Sequence, residues 1–230
     1  MDKQLRAILD LLHQHHIAYW LDSGTLLGLQ REGHLLASDK DLDLGVWDSE
    51  LPKLQTLLAI FRQAGYQIYC ASYKGQVFKY NLTPSNLKKH RTVDINIYRE
   101  AHGHAWCPMY YFKLSPTTEK KVRPQKTVFT TIRGLLRSTW KTLNSKLTLT
   151  VKIDRLPWRP FLITGTWWIP SSYYKNTTHN SKLNATIPQE WESYLAFRYG
   201  NWRQPQTDWV FYRDDQGINP RTPAQLITKQ

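Results

Sequence analysis

The strongest constraint on this chain is the tetrapeptide Asp41-Leu42-Asp43-Leu44, which alternates charge and hydrophobe over four residues. In a strand, such alternation sends both leucines to the core and both carboxylates to the opposite face, with their Cα atoms about 7 Å apart. Two acids at that spacing can converge on one magnesium ion, which takes one or two protein carboxylates and keeps its remaining positions for water and substrate phosphate. The preceding residues fit the same purpose. Tyr19-Trp20-Leu21 is a short apolar run of strand character, and it ends in Asp22-Ser23-Gly24-Thr25, a cluster that breaks a strand and caps a helix. Leu26, Leu27 and Leu29 then supply an apolar helical face. The backbone N–H groups at the start of that helix form a site for a phosphate.

A third acid lies downstream in Thr92-Val93-Asp94-Ile95-Asn96-Ile97-Tyr98. There Val93, Ile95 and Ile97 point one way, while Asp94 and Asn96 point the other. An acid in the middle of such a strand needs a partner, because an isolated buried charge is costly. A glycine turn into a helix, an acid-x-acid strand and a lone acid on a later strand together make the arrangement of the nucleotidyltransferase fold. The expected fold class is therefore α/β (α+β), a mixed sheet flanked by helices, with a C-terminal extension.

The stretch WLDSGTLLGLQREGHLLASDKDLDLGV resembles the signature of the LicD/fukutin family, and so does Tyr194-Leu195 through Arg198-Tyr199-Gly200, with Trp202 and Pro205 following. The resemblance implies transfer of a substituted phosphate, of ribitol phosphate or phosphocholine type, from a CDP-alcohol to a hydroxyl of a glycan, teichoic acid or capsule acceptor, releasing CMP. It implies Mg2+ or Mn2+ held by Asp41, Asp43 and Asp94, with Asp94 as ligand or as base. Asp39 is a further candidate ligand, since some members carry an acid there. The backbone of Ser23, Gly24 and Thr25 is expected to cradle the donor phosphate, with Asp22 orienting that loop or contacting the donor. Lys79, or Lys74, reaches the same phosphates. Two other readings stand beside this one, a true nucleotidyltransferase and a non-enzymatic basic module on a membrane or nucleic acid. Three acids at one site would repel a nucleic-acid backbone, so no nucleic-acid partner is expected.

The other elements follow from periodicity. Leu5, Ile8, Leu11 and Leu12 mark a first helix, and Leu51, Leu54, Leu57, Leu58 and Phe61 mark another that ends near Gly65. Tyr66 to Ser72 and Gln76 to Leu82 read as a hairpin about Tyr73-Lys74-Gly75. His102-Gly103-His104, with Cys107 nearby, carries only a weak metal signal and reads better as a turn. A returning strand from Trp106 to Leu114 closes a core over residues 1–115, leaving 116–230 as an extension packed on it. Within that extension the aromatic, proline-rich run from Trp158 to Tyr174 is expected to wrap the core as irregular structure.

The net charge of +13 is concentrated between Lys113 and Pro160, where twelve cations face two acids. From 126 to 149, Val128, Ile132, Leu135, Leu136, Trp140, Leu143 and Leu147 form an apolar stripe beside Arg133, Arg137, Lys141 and Lys146. This basic amphipathic helix either packs on the core or lies on an anionic membrane. Cys70 and Cys107 make no disulfide framework and suit a reducing compartment. No signal-peptide core or long apolar span stands out. The expected location is cytoplasmic, with peripheral contact at the inner face of the membrane if the basic helix binds lipid.

Overall fold

The computed structural model describes residues 2–110, 149–153 and 163–227. Helix α1, Lys3–Gln14, opens with the Asp2 carboxylate accepting from the amides of Gln4 and Leu5 at 2.8 and 3.0 Å. It buries Leu5, Ile8, Leu9 and Leu12. His13 at its end bonds to the Tyr19 hydroxyl across 3.1 Å. Strand β1, Trp20–Leu21, leads into α2, Ser23–Arg31, and then β2, Asp41–Trp47. Helix α3, Leu51–Gln63, has Pro52 in its first turn, buries Leu54, Leu57, Leu58 and Phe61, and stops before Gly65 at φ 88°.

Two hairpins follow. Strands β3, Tyr66–Tyr73, and β4, Gln76–Pro84, turn on Lys74 and Gly75, both at positive φ. Strands β5, Thr92–Ala101, and β6, His104–Tyr110, turn in the same way on His102 and Gly103. Two successive left-handed residues match the twist that a tight hairpin requires. The expected turn therefore accounts for the histidines. The His104 ring stacks on Trp168 at 4.9 Å, while the buried Cys107 thiol donates to the Phe78 carbonyl. Burial pushes that thiol up to about 12, so it stays protonated.

Strands β7, Leu149–Ile153, and β8, Ile163–Pro170, join the same sheet, whose order is β11-β8-β6-β5-β4-β3-β7, with β11 being Ile218–Asn219. Strand β2 lies parallel to β5, and β1 pairs with β2. Both sides of residue 115 thus contribute to one mixed sheet. A second, two-stranded sheet pairs β9, Thr177–Asn180, with β10, Ala185–Pro188. Beyond it lies helix α5, Trp191–Tyr199, after the single turn α4, Ser172–Lys175.

One expectation is corrected here. Ile163–Pro170 is not irregular but a strand held between β6 and β11, because its β-branched and aromatic residues suit a pleated surface and its proline falls at the end. The expected basic helix lies outside the described residues, apart from Leu149, which begins β7. Residues 111–114 of the expected returning strand lie outside them as well.

Candidate active site

The parallel pairing of β2 with β5 sets Asp43 directly opposite Asp94. Asp41 sits two residues back on the same face, and one carboxylate oxygen from each of the three lies within 4.8 Å of the others. Burial, followed by the charges of Asp41 and Asp94, holds the Asp43 carboxyl well above the usual carboxylate range. Asp41 is raised too, by burial first and by Asp94 second. Asp94 is oriented from β4. Lys79 forms an ion pair with one of its oxygens and the Asn81 amide donates to the other. Octahedral ligation at about 2.0–2.1 Å separates neighbouring ligands by about 2.9 Å and opposite ones by about 4.2 Å, so the three carboxylates would draw together to hold Mg2+.

The first turn of α2 is clamped onto the backbone of Asp43. The Asp22 amide donates to the Asp43 carbonyl at 3.1 Å, and the Asp43 amide donates to the Thr25 hydroxyl at 2.7 Å. Gly24 is required between them. A Cβ there would stand 2.3 Å from Oδ2 of Asp39 and 3.7 Å from Oδ2 of Asp43. The missing side chain is the space in which Asp39 meets the helix, bringing a fourth acid to the group. Burial raises the Asp39 carboxyl, against the pull of Arg91 and Arg31. First-turn amides have no acceptor inside their own helix, which leaves the N–H groups of Gly24 and Thr25 for a ligand.

Asp22 is committed to neighbouring side chains. Its carboxylate is fully buried and its oxygens are already taken. Oδ2 accepts from the Tyr98 hydroxyl at 2.8 Å, and Oδ1 accepts from the Ser23 amide at 2.9 Å and from the hydroxyls of Tyr174 and Tyr194. Burial first, and then the Asp22 charge, push Tyr98 and Tyr174 well above the ordinary phenol range, so they remain neutral donors. Asp22 orients the turn. An acid without such donors would not stay charged in this position.

Arg198 completes this network from α5. Its Nη1 donates to the Ser23 hydroxyl at 2.8 Å and to Tyr194, while Nε and Nη2 grip the Asp215 carboxylate. Burial works against the guanidinium charge, yet Asp215 and the neighbouring tyrosines hold its pKa well above normal. The sequence reading missed Arg198, Asp215, Tyr174 and Asn81. The available signal was the Arg198-Tyr199-Gly200 run, which matched a family block without revealing its partner.

The acids, Ser23, Gly24 and Lys79 line a cleft of about 1120 Å³ together with Trp167, Arg198, Tyr199 and Trp202. Thr25 and Asp22 are buried outside that lining. A mixed sheet that displays an acid pair and a third acid beside a glycine-opened helix defines a domain of the nucleotidyltransferase fold. Residues 16–133 match the family described as LicD/FKTN/FKRP, nucleotidyltransferase domain, and the chain belongs to that family. The family is of phosphotransferase type. Two curated relatives, uncharacterized proteins of Rickettsia typhi and Rickettsia prowazekii, are each 41% identical over 59 residues. That stretch is 26% of this chain and 19% and 22% of theirs, so the chain spans about a fifth of the length of the relatives it matches. No helix among the described residues is long and apolar enough to cross a membrane.

Proposed function

We propose that this protein transfers a substituted phosphate from a CDP-alcohol to a hydroxyl of a glycan, teichoic-acid or capsule acceptor and releases CMP. The observation that carries the reading is the convergence of Asp41, Asp43 and Asp94 on a point that a divalent ion fits. Asp41 and Asp43 would hold Mg2+ or Mn2+, with Asp94 third in the set and Asp39 beside Gly24. An ion held there would supply positive charge against the donor's phosphates and against the charge that develops as the P–O bond to CMP breaks. The Ser23 hydroxyl, the Gly24 amide and Lys79, all in the cleft lining, supply donors to those phosphates. The acceptor oxygen forms a bond to the distal phosphorus, CMP departs with the electron pair of the broken bond, and a carboxylate of the cluster takes the hydroxyl proton.

Separate isotopic labels on the alcohol and the cytidine, followed by mass spectrometry, test the direction of transfer. The label on the alcohol should reach the acceptor and the cytidine label should appear as CMP. Cytidine on the acceptor, or pyrophosphate released from a nucleoside triphosphate without use of any CDP-alcohol, would make the protein a true nucleotidyltransferase. Residues 126–149 are the segment to test against anionic vesicles, since their basic and apolar positions suit a peripheral contact beside the acceptor.

A further inference from the structure

We infer that the loop joining β4 to β5 docks the protein on an anionic lipid surface, beside the rim of the cleft. The segment from Leu82 to Val93 carries Lys88, Lys89, His90 and Arg91 and contains no acid. Leu87 is 61% exposed, the most exposed large apolar side chain among the described residues. Lys88, Lys89 and His90 are exposed beside it. A lone surface leucine is ordinary in itself. This one is set apart by the turn that presents it and by the cations that follow it.

The turn is built. Asn86 Oδ1 accepts from the Lys88 amide at 3.1 Å, and the Asn86 carbonyl accepts from the amides of Lys89 and His90 at 3.2 and 3.0 Å. An asparagine bonded to the backbone two residues on fixes such a turn, with Leu87 and the two lysines at its tip. At the base, Gln4 grips the backbone of Arg91 in both directions. Its Nε2 donates to the Arg91 carbonyl at 2.7 Å, and its Oε1 accepts from the Arg91 amide at 2.8 Å. The loop is therefore ordered before a partner arrives, which lowers the entropy that docking would cost.

The same base is tied to the cleft. Arg91 Nη1 donates to the Leu36 carbonyl at 2.9 Å, and the Thr92 amide donates to the Lys40 carbonyl at 3.2 Å. Leu36, Asp39 and Asp41 line the cleft, and Lys40 between the two acids is exposed. Asp94 follows Thr92 by two residues on β5. A bilayer that took up the loop would hold its own surface beside the acids, whatever donor the cleft binds. Lipid fits both halves of the tip, since headgroup phosphates pair with lysine and the acyl boundary accepts leucine. A soluble polyanion would satisfy the lysines and leave Leu87 in water.

The test is flotation of the full chain with vesicles of phosphatidylcholine, alone or mixed equally with phosphatidylglycerol. Wild type is compared with Leu87→Ser and with the double variant Lys88→Glu, Lys89→Glu. Each is also made with Arg133, Arg137 and Lys141 changed to Glu, so that residues 126–149 do not mask the loop. Wild type should float with the anionic vesicles and not with phosphatidylcholine alone. In both backgrounds the charge reversal should lower partitioning about tenfold or more, and Leu87→Ser about threefold or more. Melting temperatures should stay unchanged, because all three side chains are exposed. Wild type that ignores anionic vesicles, or loop variants that bind like their parents, would overturn the inference. Leu87→Ser floating like wild type while the charge reversal is released would overturn it as well, by making the loop a reader of phosphate without lipid. If the changes in 126–149 alone abolish flotation, the docking surface lies there and the inference fails.

Discussion

Arg198 Nη1 donates a hydrogen bond to the hydroxyl of Ser23, which lies 175 residues earlier in the chain, at 2.8 Å. Through that bond, α5 holds the first turn of α2, and the first turn of α2 holds the backbone of Asp43. Charge at one end of the chain thereby positions a proposed metal ligand near the other.

Removing the Arg198 side chain should be severely destabilising. Arg198→Met leaves Asp215 buried without its counter-ion, and losing one partner of a buried pair typically costs about 3–5 kcal/mol. Arg198→Lys should recover only part of this, because a single ammonium cannot serve Asp215 and Ser23 together. Urea unfolding of the three proteins gives the comparison. Near-equal midpoints would show that the network contributes little.

Asp43→Asn should abolish metal binding and lower transfer about a thousandfold or more, equivalent to about 4 kcal/mol of barrier. Its effect on the metal-free fold should have the opposite sign. Because the folded carboxyl is raised, its contribution to stability is full below the unfolded carboxylate range and is lost as pH rises through the folded value. Metal-free Asp43→Asn should therefore match or exceed wild-type stability at neutral pH, with the advantage fading in acid. Thermal melts across pH, with and without Mg2+, measure both effects.

Gly24→Ala separates activity from stability. The new methyl displaces only the end of the Asp39 side chain, so unfolding free energy should change by less than about 1 kcal/mol. Turnover should fall about tenfold, or 1.4 kcal/mol, as Asp39 is driven from the cluster. Unchanged turnover would remove Asp39 from the working site.

Gly45→Ala should do the reverse. Its Cβ would fall 2.2 Å from Cε2 of Trp20, whose ring is buried and stacked on Tyr174 at 4.5 Å. The ring has nowhere to go, and overpacking of this kind costs about 1–3 kcal/mol. Trp20→Phe in the same chain should return part of the loss, which a double-mutant cycle reads directly.

The features legible in the sequence were those with a local period. Asp41-Leu42-Asp43-Leu44 and the Val93–Ile97 run displayed their two faces through alternation alone, and the turns at Lys74-Gly75 and His102-Gly103 are set by neighbouring residues. Asp22 was harder to place, because its roles as cap and as ligand look alike until Tyr98, Tyr174, Tyr194 and Arg198 arrive from 76 to 176 residues away. Strand β8 was missed for a related reason. Its aromatic run is ordered by β6 and β11, both distant partners. Asn81 passed unnoticed because only its register opposite Asp94 gives it a function.

The buried Asp22 carboxylate also bears on how the molecule can be cut. The stretch that matches the family ends at residue 133, yet Tyr174, Tyr194 and Arg198 all come after it. A recombinant piece stopped at that point would enclose an acid stripped of three of its side-chain donors, and would lose β8 from the flank of β6 as well. The limits of the recognisable family segment are therefore not the limits of a unit that folds alone, and truncation for expression or crystallisation should retain the chain at least through Asp215.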